Sequence, residues 1–408
     1  MEQPPARSAS QSATVWMCYG AMMCLAIAVN LTPVYLTTFG EVFGGEAGLS
    51  EEQLGRIPGL TFLSLTLAVI LCGPLADRFG GKLFSILGLA IVGGGVVLVA
   101  AAQSYGMLLA AASLMGFGTG ILDMILSPIV SAMQPERRAS AMNWLHSFYC
   151  IGAVLSVASG TCALSVGVPW RVVWGVMAFP PAAVLVGFAL VKVPPLVKDG
   201  SERRPVRKLA TFPYFILAVI SLFLIGGTEH GVVQWLPAFA ERSLKLSKFA
   251  SGNIFLGYLV VMVLARMLVA SVGRHIKPIR IMLLCSVLSA GLMLVLTLCP
   301  VVPVAAAAGV LVGMTASCLW PTLLAVTADR FPRGGASMFA VLSASGNAGC
   351  FAMAWLVGIM ADATGNLNLA LAAIVLCPIA LTLTLLWMAA HGQAPAPDEY
   401  PAASAYDG

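Results

Sequence analysis

Long apolar runs broken by short polar turns set the rhythm of this chain. They lie at roughly 15 to 38, 53 to 74, 83 to 103, 106 to 130, 139 to 164 and 170 to 193, and then at 211 to 240, 249 to 272, 281 to 299, 303 to 328, 336 to 360 and 366 to 390. Each is long enough for a helix rising about 1.5 Å per residue to cross about 30 Å of hydrocarbon. The pattern therefore predicts an all-α integral membrane protein with about twelve transmembrane helices. One extended polar connection, about residues 194 to 210, contains KDGSERRPVRK and falls at mid-chain, where a linker between two bundles belongs. The expected organisation is a tail over 1–14, a six-helix bundle over 15–193, the linker over 194–210, a second six-helix bundle over 211–390, and a disordered tail over 391–408 rich in Ala, Pro and acids.

Composition agrees with this pattern: 59% of residues are hydrophobic and only 10% charged, against about 25% charged in soluble domains. The net charge of +5 forms no single patch and argues against a nucleic-acid partner. It sorts by membrane side instead. With the N-terminus inside, the cytoplasmic face receives Arg78, Lys82, Arg137, Arg138, the basic linker, Arg274, Lys277, Arg280, Arg330 and Arg333, while Arg56, Arg171, Arg242, Lys245 and Lys248 stay outside. By the positive-inside rule both termini are cytoplasmic, in a multi-pass protein of the plasma membrane. The ten cysteines have no metal-site spacing and read as small packing residues. No cofactor or metal is expected. The start, MEQPPARSASQSATV, is a poor signal peptide, so the first span should be retained.

The halves echo one another weakly, as parallel repeats do. GPLADRFGGK, Gly73 to Lys82, follows the second span, and ASVGRHIKPI, Ala270 to Ile279, follows the eighth, with Arg274 where Asp77 stands. GPLADRFGGK resembles the loop signature of the major facilitator superfamily. The resemblance implies two pseudo-symmetric six-helix bundles and assigns a gating latch to Gly73, Asp77, Arg78, Gly80 and Lys82, away from substrate.

Charges inside the spans carry the functional signal. Asp123 in the fourth and Glu229 in the seventh sit in sequence that is otherwise lipid-soluble. An ionised acid at mid-bilayer costs about 2.5 to 3.5 kcal/mol even on the lenient insertion scale, so such groups line water-filled paths, pair, or carry protons. Counting outward from the QPERRAS turn puts Asp123 and His146 at similar depth, about 10 Å in. Ser127 and Asn143 fall one turn nearer the cytoplasm, so the two polar faces are expected to meet as a proton site; helix glue is the structural alternative. GTGILDMILSP, Gly118 to Pro128, with NWLHSFYCIGA, Asn143 to Ala153, resembles the fourth and fifth helices of the fucose-proton symporter family. That family places a protonatable acid at the position of Asp123, which implies proton coupling there.

GGTEHGVVQWLP, Gly226 to Pro237, is similar to the Gly-x-Glu segment of sugar-transporting relatives. Its glycines and Pro237 predict a loosened helix at a binding site, with Glu229 taking sugar hydroxyls or the coupling ion. The second-half counterparts of the Asp123 and His146 hairpin are Trp320-Pro321 and Ser343 to Asn347. An indole beside hydrogen-bonding groups suits a pyranose, so Trp320 and Asn347 are expected in the cavity wall, with Asn143, Gln234 and Asn30 as further candidates. Arg266, near the cytoplasmic end of the eighth span, is expected to pair structurally or snorkel.

The functional expectation is a proton-coupled symporter of a small neutral solute, a monosaccharide first, working by alternating access as a monomer in the lipid bilayer, with sodium as the other candidate ion. A drug or metabolite efflux antiporter of the same superfamily is the alternative. Such exporters carry an Arg where Ala112 stands and a Gly-Pro run that Ser156-Val157 interrupts. A sensor that has lost transport is a further possibility. An enzyme would need clustered ligands or a nucleophile with its base, and the four histidines are dispersed.

Overall fold

A computed structural model of the chain describes residues 9–134, 138–193, 206–272, 276–331 and 334–391. Gly73, Asp77, Arg78 and Asn143 are described in backbone only. Twelve helices among these residues are long and apolar enough to cross a membrane, and no strand occurs among them.

The first half begins with α1 (Ala9–Phe43), which starts ahead of the expected tail boundary at residue 14. Its polar first turns hold helix because Ser, Ala and Gln in sequence meet no breaker there. Ser50 caps α2 (Glu51–Phe79) in a capping box with Gln53, which satisfies backbone donors at the helix start. Gly80, at φ +88°, ends α2 and opens α3 (Gly81–Ala101), a left-handed geometry that a side chain would strain. Next come α4 (Tyr105–Met133), capped by Ser104, and α5 (Arg138–Ser165). The sixth span is split into α6 (Trp170–Val176) and α7 (Phe179–Leu190).

In the second half the short α8 (Val206–Leu209) precedes α9 (Pro213–Val233) and α10 (Leu236–Arg242). After them come α11 (Lys248–Val272), α12 (Pro278–Leu298), α13 (Val302–Ala316) and α14 (Leu319–Arg330). The chain closes with α15 (Gly335–Thr364), α16 (Leu367–Ala373) and α17 (Leu376–His391). Apart from α8 and its flanking residues, the linker expected over 194–210 lies outside the described residues, as does the C-terminal tail beyond His391.

Each broken span has the same cause. Pro181, Pro237, Pro321 and Pro378 lack the N–H that would bond to the carbonyl four residues earlier, and the helix parts at 177–178, 234–235, 317–318 and 374–375. The seventh span therefore breaks at Gln234-Trp235, one turn before its proline, and runs as unbroken helix through Gly226, Gly227 and Gly231. Those glycines serve contact instead of loosening: a Cβ on Gly226 would lie 2.0 Å from the Gly346 carbonyl, so α9 lies backbone to backbone on α15.

Helix partners reveal the symmetry of the two bundles. The second span packs on the eleventh (α2 on α15) and the fifth on the eighth (α5 on α11), the exchange that a two-fold axis along the membrane normal requires. Within the first half, α4 lies on α2 and α3 while α5 lies on α1. The fourth and fifth spans barely touch, because α5 leaves its neighbour to seal the seam between the halves.

Candidate functional site

At one end of the molecule the halves are tied together by polar bonds. Thr37 donates to Glu241 at 2.8 Å, and Lys248 donates to Glu41 at 2.6 Å and to Thr38 at 3.1 Å. Arg242 pairs with Glu51. Asp362, near the end of α15, accepts from the backbone N–H groups of Glu51 (2.8 Å) and Glu52 (2.9 Å), where the start of α2 has unpaired donors and a positive dipole end. The Trp355 indole N–H donates to Glu52 at 2.5 Å. Just inside, the Trp235 indole N–H donates to the Ala354 carbonyl at 2.8 Å, and Gly55 admits the approach, since a Cβ there would lie 2.9 Å from that oxygen. Sequence reasoning missed this rim by treating its charges as topology signals. The clue was present: acids Glu41, Glu51 and Glu52 flank the first connection of the first half, and bases Arg242 and Lys248 flank the first connection of the second.

Moving from the rim to the centre, pairing gives way to unsatisfied charge. Arg266 extends from α11 across the seam. Its Nε donates to the Ser317 carbonyl at 3.1 Å and Nη1 to the Cys150 Sγ at 3.1 Å. Ser317 is the carbonyl orphaned by Pro321, so the proline break both splits the tenth span and creates the acceptor that aims the guanidinium. Arg266 is therefore held by structural partners on two other helices, with no ion pair among the described residues, and stays partly accessible. Glu229 on α9 is 7% exposed, makes no hydrogen bond to a described residue, and lies within electrostatic reach of Arg266 without forming an ion pair. Two phenols complete the group. Tyr149 accepts from the Asn30 amide at 3.1 Å, and the buried Tyr258 hydroxyl has no partner among the described residues. Both lie within electrostatic reach of Glu229 and Arg266.

The remaining candidates divide between wall and core. Trp320 sits against the Gly346 backbone, where a Cβ would come within 2.2 Å of the ring, and so lies one residue from Asn347. It also packs against a buried cluster of Val29, Phe62, Leu65, Val69 and Cys350, which draws on both halves. Asn347 is 7% exposed. Gln234 is buried with its Nε2 unpartnered among the described residues, and Asn30 also bonds the Ala26 carbonyl of its own helix. His230, beside Glu229, meets Phe62 edge-on at 4.7 Å.

Asp123 stands alone. It continues the α4 stripe of Gly116 and Gly120 that packs against α2, keeps accessible surface, and has neither hydrogen bond nor charge partner among the described residues. Measured from the observed helix ends, it lies about 15 Å in and His146 about 12 Å in. The two do not form the expected pair. His146 is accessible, and its electrostatic neighbour is Arg266 of the other half, so it faces the space between the bundles. Lys82 donates to the Ala189 and Val191 carbonyls at 2.8 Å each, capping α7 within its own half, and makes no recorded bond to the other bundle. No cluster of metal-binding side chains occurs among the described residues.

The pattern of the Major Facilitator Superfamily matches residues 13–302 and 236–405. The chain belongs to the Major Facilitator Superfamily. It is thus a multi-pass membrane protein. It is similar to the multidrug resistance protein MdtL of Escherichia coli O81, 26% identical over 189 residues, which are 45% of this chain and 48% of that one. Matches to these curated relatives cover 14% to 57% of those proteins' own length. Its fold is that of a bacterial homologue of the human lysosomal transporter Spinster, with a TM-score of 0.74 at 16% identity over 94% of this chain and 96% of that one. The transporter FucP gives a TM-score of 0.66 at 18% identity over 93% and 99%.

Proposed function

We propose that this superfamily member is a proton-coupled symporter of a small hydroxylated solute of monosaccharide size, working by alternating access of its two bundles. Isolation of Asp123 carries the reading. A partly accessible acid between helices, without a partner among the described residues, is the kind of group that takes up and releases a proton during transport. Glu229 is the second proton carrier, at the solute site itself, with His146 beside the path. Trp320 and Asn347 form the solute wall, joined by Asn143, Asn30 and Gln234. The loop residues Gly73, Asp77, Arg78, Gly80 and Lys82 control the end opposite the rim. With cytoplasmic termini the sealed rim faces outward, so the conformation is inward-facing.

Purified protein in liposomes tests this. An imposed pH gradient, acid outside, drives solute accumulation; Asp123→Asn abolishes the accumulation and leaves solute exchange intact. Unchanged accumulation by that variant removes Asp123 from coupling. The similarity to MdtL keeps proton-driven efflux as the second reading. Adding solute to de-energised cells separates the two: a symporter alkalinises the medium and an antiporter does not.

A further inference from the structure

The donors left unpaired at the centre specify the solute more narrowly. We propose that the solute carries a carboxylate, held by Arg266 with the hydroxyls of Tyr149 and Tyr258, so that a sugar acid or similar hydroxy acid fits where the sequence suggested a neutral sugar. This deepens the transport reading of the same chamber and rests on it.

The argument starts from the guanidinium. Arg266 has only two recorded partners, a carbonyl and a thiol, and among the described residues no carboxylate lies within ion-pair distance of it. A thiol is a weak acceptor, so the Nη edge that points at Cys150 is available to a stronger one. An Arg fork matches a carboxylate with two parallel bonds. Beside it, Tyr258 has a buried hydroxyl with no partner, and the Tyr149 hydroxyl accepts from Asn30 while its own proton has no recorded acceptor. Unmet capacity here is almost all donor. Glu229 is the exception, and a proton turns it into a donor as well.

Charge gives the same answer. A buried cation needs a counter-charge, and Glu229 is the anionic neighbour of Arg266 in this chamber. Protonating Glu229 for symport removes that anion, and the solute carboxylate replaces it. Proton and anion then favour each other's binding, which is thermodynamic coupling between two ligands at one site. A neutral solute would leave Arg266 uncompensated in the loaded state.

Full-length protein in nanodiscs, with no gradient, tests this through equilibrium binding of D-gluconate and D-glucose, which match in size and differ in the carboxylate. Gluconate should bind and glucose should not at the same concentration. Arg266→Gln should lower gluconate affinity by about a hundredfold and Arg266→Lys by about tenfold, because a point charge cannot reproduce the fork. His146 and His230 also lie near Arg266, so pH alone does not isolate Glu229. Glu229→Gln isolates it: gluconate affinity at pH 8 should rise to at least the value of the unaltered protein at pH 6. Binding of glucose in preference to gluconate, binding of neither, unchanged gluconate affinity in a folded Arg266→Gln variant, or loss of gluconate binding in Glu229→Gln each overturns the assignment. If gluconate binds through Arg266 but no pH gradient drives uptake, the coupling proposal fails and the carboxylate site stands.

Discussion

The rim and the centre of this protein hold similar side chains in opposite states. At the rim, Glu51, Glu52, Asp362, Arg242 and Lys248 are paired across the two bundles. At the centre, Glu229 and Arg266 lie within electrostatic reach without forming an ion pair, and Asp123, on the α4 face against α2, has no partner among the described residues. The difference shows two uses of charge in one fold. Pairing at a wet edge favours one conformation at small cost, since the ions keep part of their hydration. Unpaired charge in a protein-lined interior is costly, and in the proposed mechanism a proton or a solute satisfies it.

The most severe way to disturb both regions is to part the wall between them. Gly226→Val places carbon atoms inside the contact between α9 and α15, so folded protein should be lost or its melting temperature lowered by many degrees, as read by size-exclusion yield and thermal unfolding. A selective break follows from Arg242→Ala, which removes the cation paired with Glu51 and near Asp362 and should shift the population toward an open rim about tenfold. The check is the alkylation rate of a cysteine placed at Leu54, which is fully buried under the sealed rim; an unchanged rate would show that packing alone holds the seal. Trp320→Ala acts on the centre without touching the rim. Solute affinity should fall about fivefold with expression retained, and equal affinity would remove the indole from the wall. Smallest of all is Lys248→Gln, which breaks a pair whose Glu41 is 66% exposed. Its effect should stay below about 1 kcal/mol and vanish in high salt.

Much of this was legible in the chain, and the limit has a physical form. The spans were readable because burial in lipid demands continuous apolar sequence. Asp123 and Glu229 stood out because lipid tolerates few charges. Pairings were not readable. Asp123 and His146 share a depth, yet α5 turns away from α4 to meet α11, and His146 faces Arg266 instead. Glycines 226, 227 and 231 suggest a weak helix by propensity, whereas the second helix that lies against them makes close approach their use. Arg266, read in its own helix, suggests a structural pairing or snorkelling without naming a partner; its target exists only because Pro321 frees a carbonyl on another span.

By itself the sequence determined that this protein crosses the membrane about twelve times in two similar halves and carries acids at depth, because those properties depend on the local cost of placing each residue in hydrocarbon. Only the tertiary structure decided which end is sealed, which acid faces a cation, and where the orphaned donors converge. Those outcomes depend on helices far apart in sequence meeting at one seam, and hydrophobic periodicity along a single helix does not encode its neighbours.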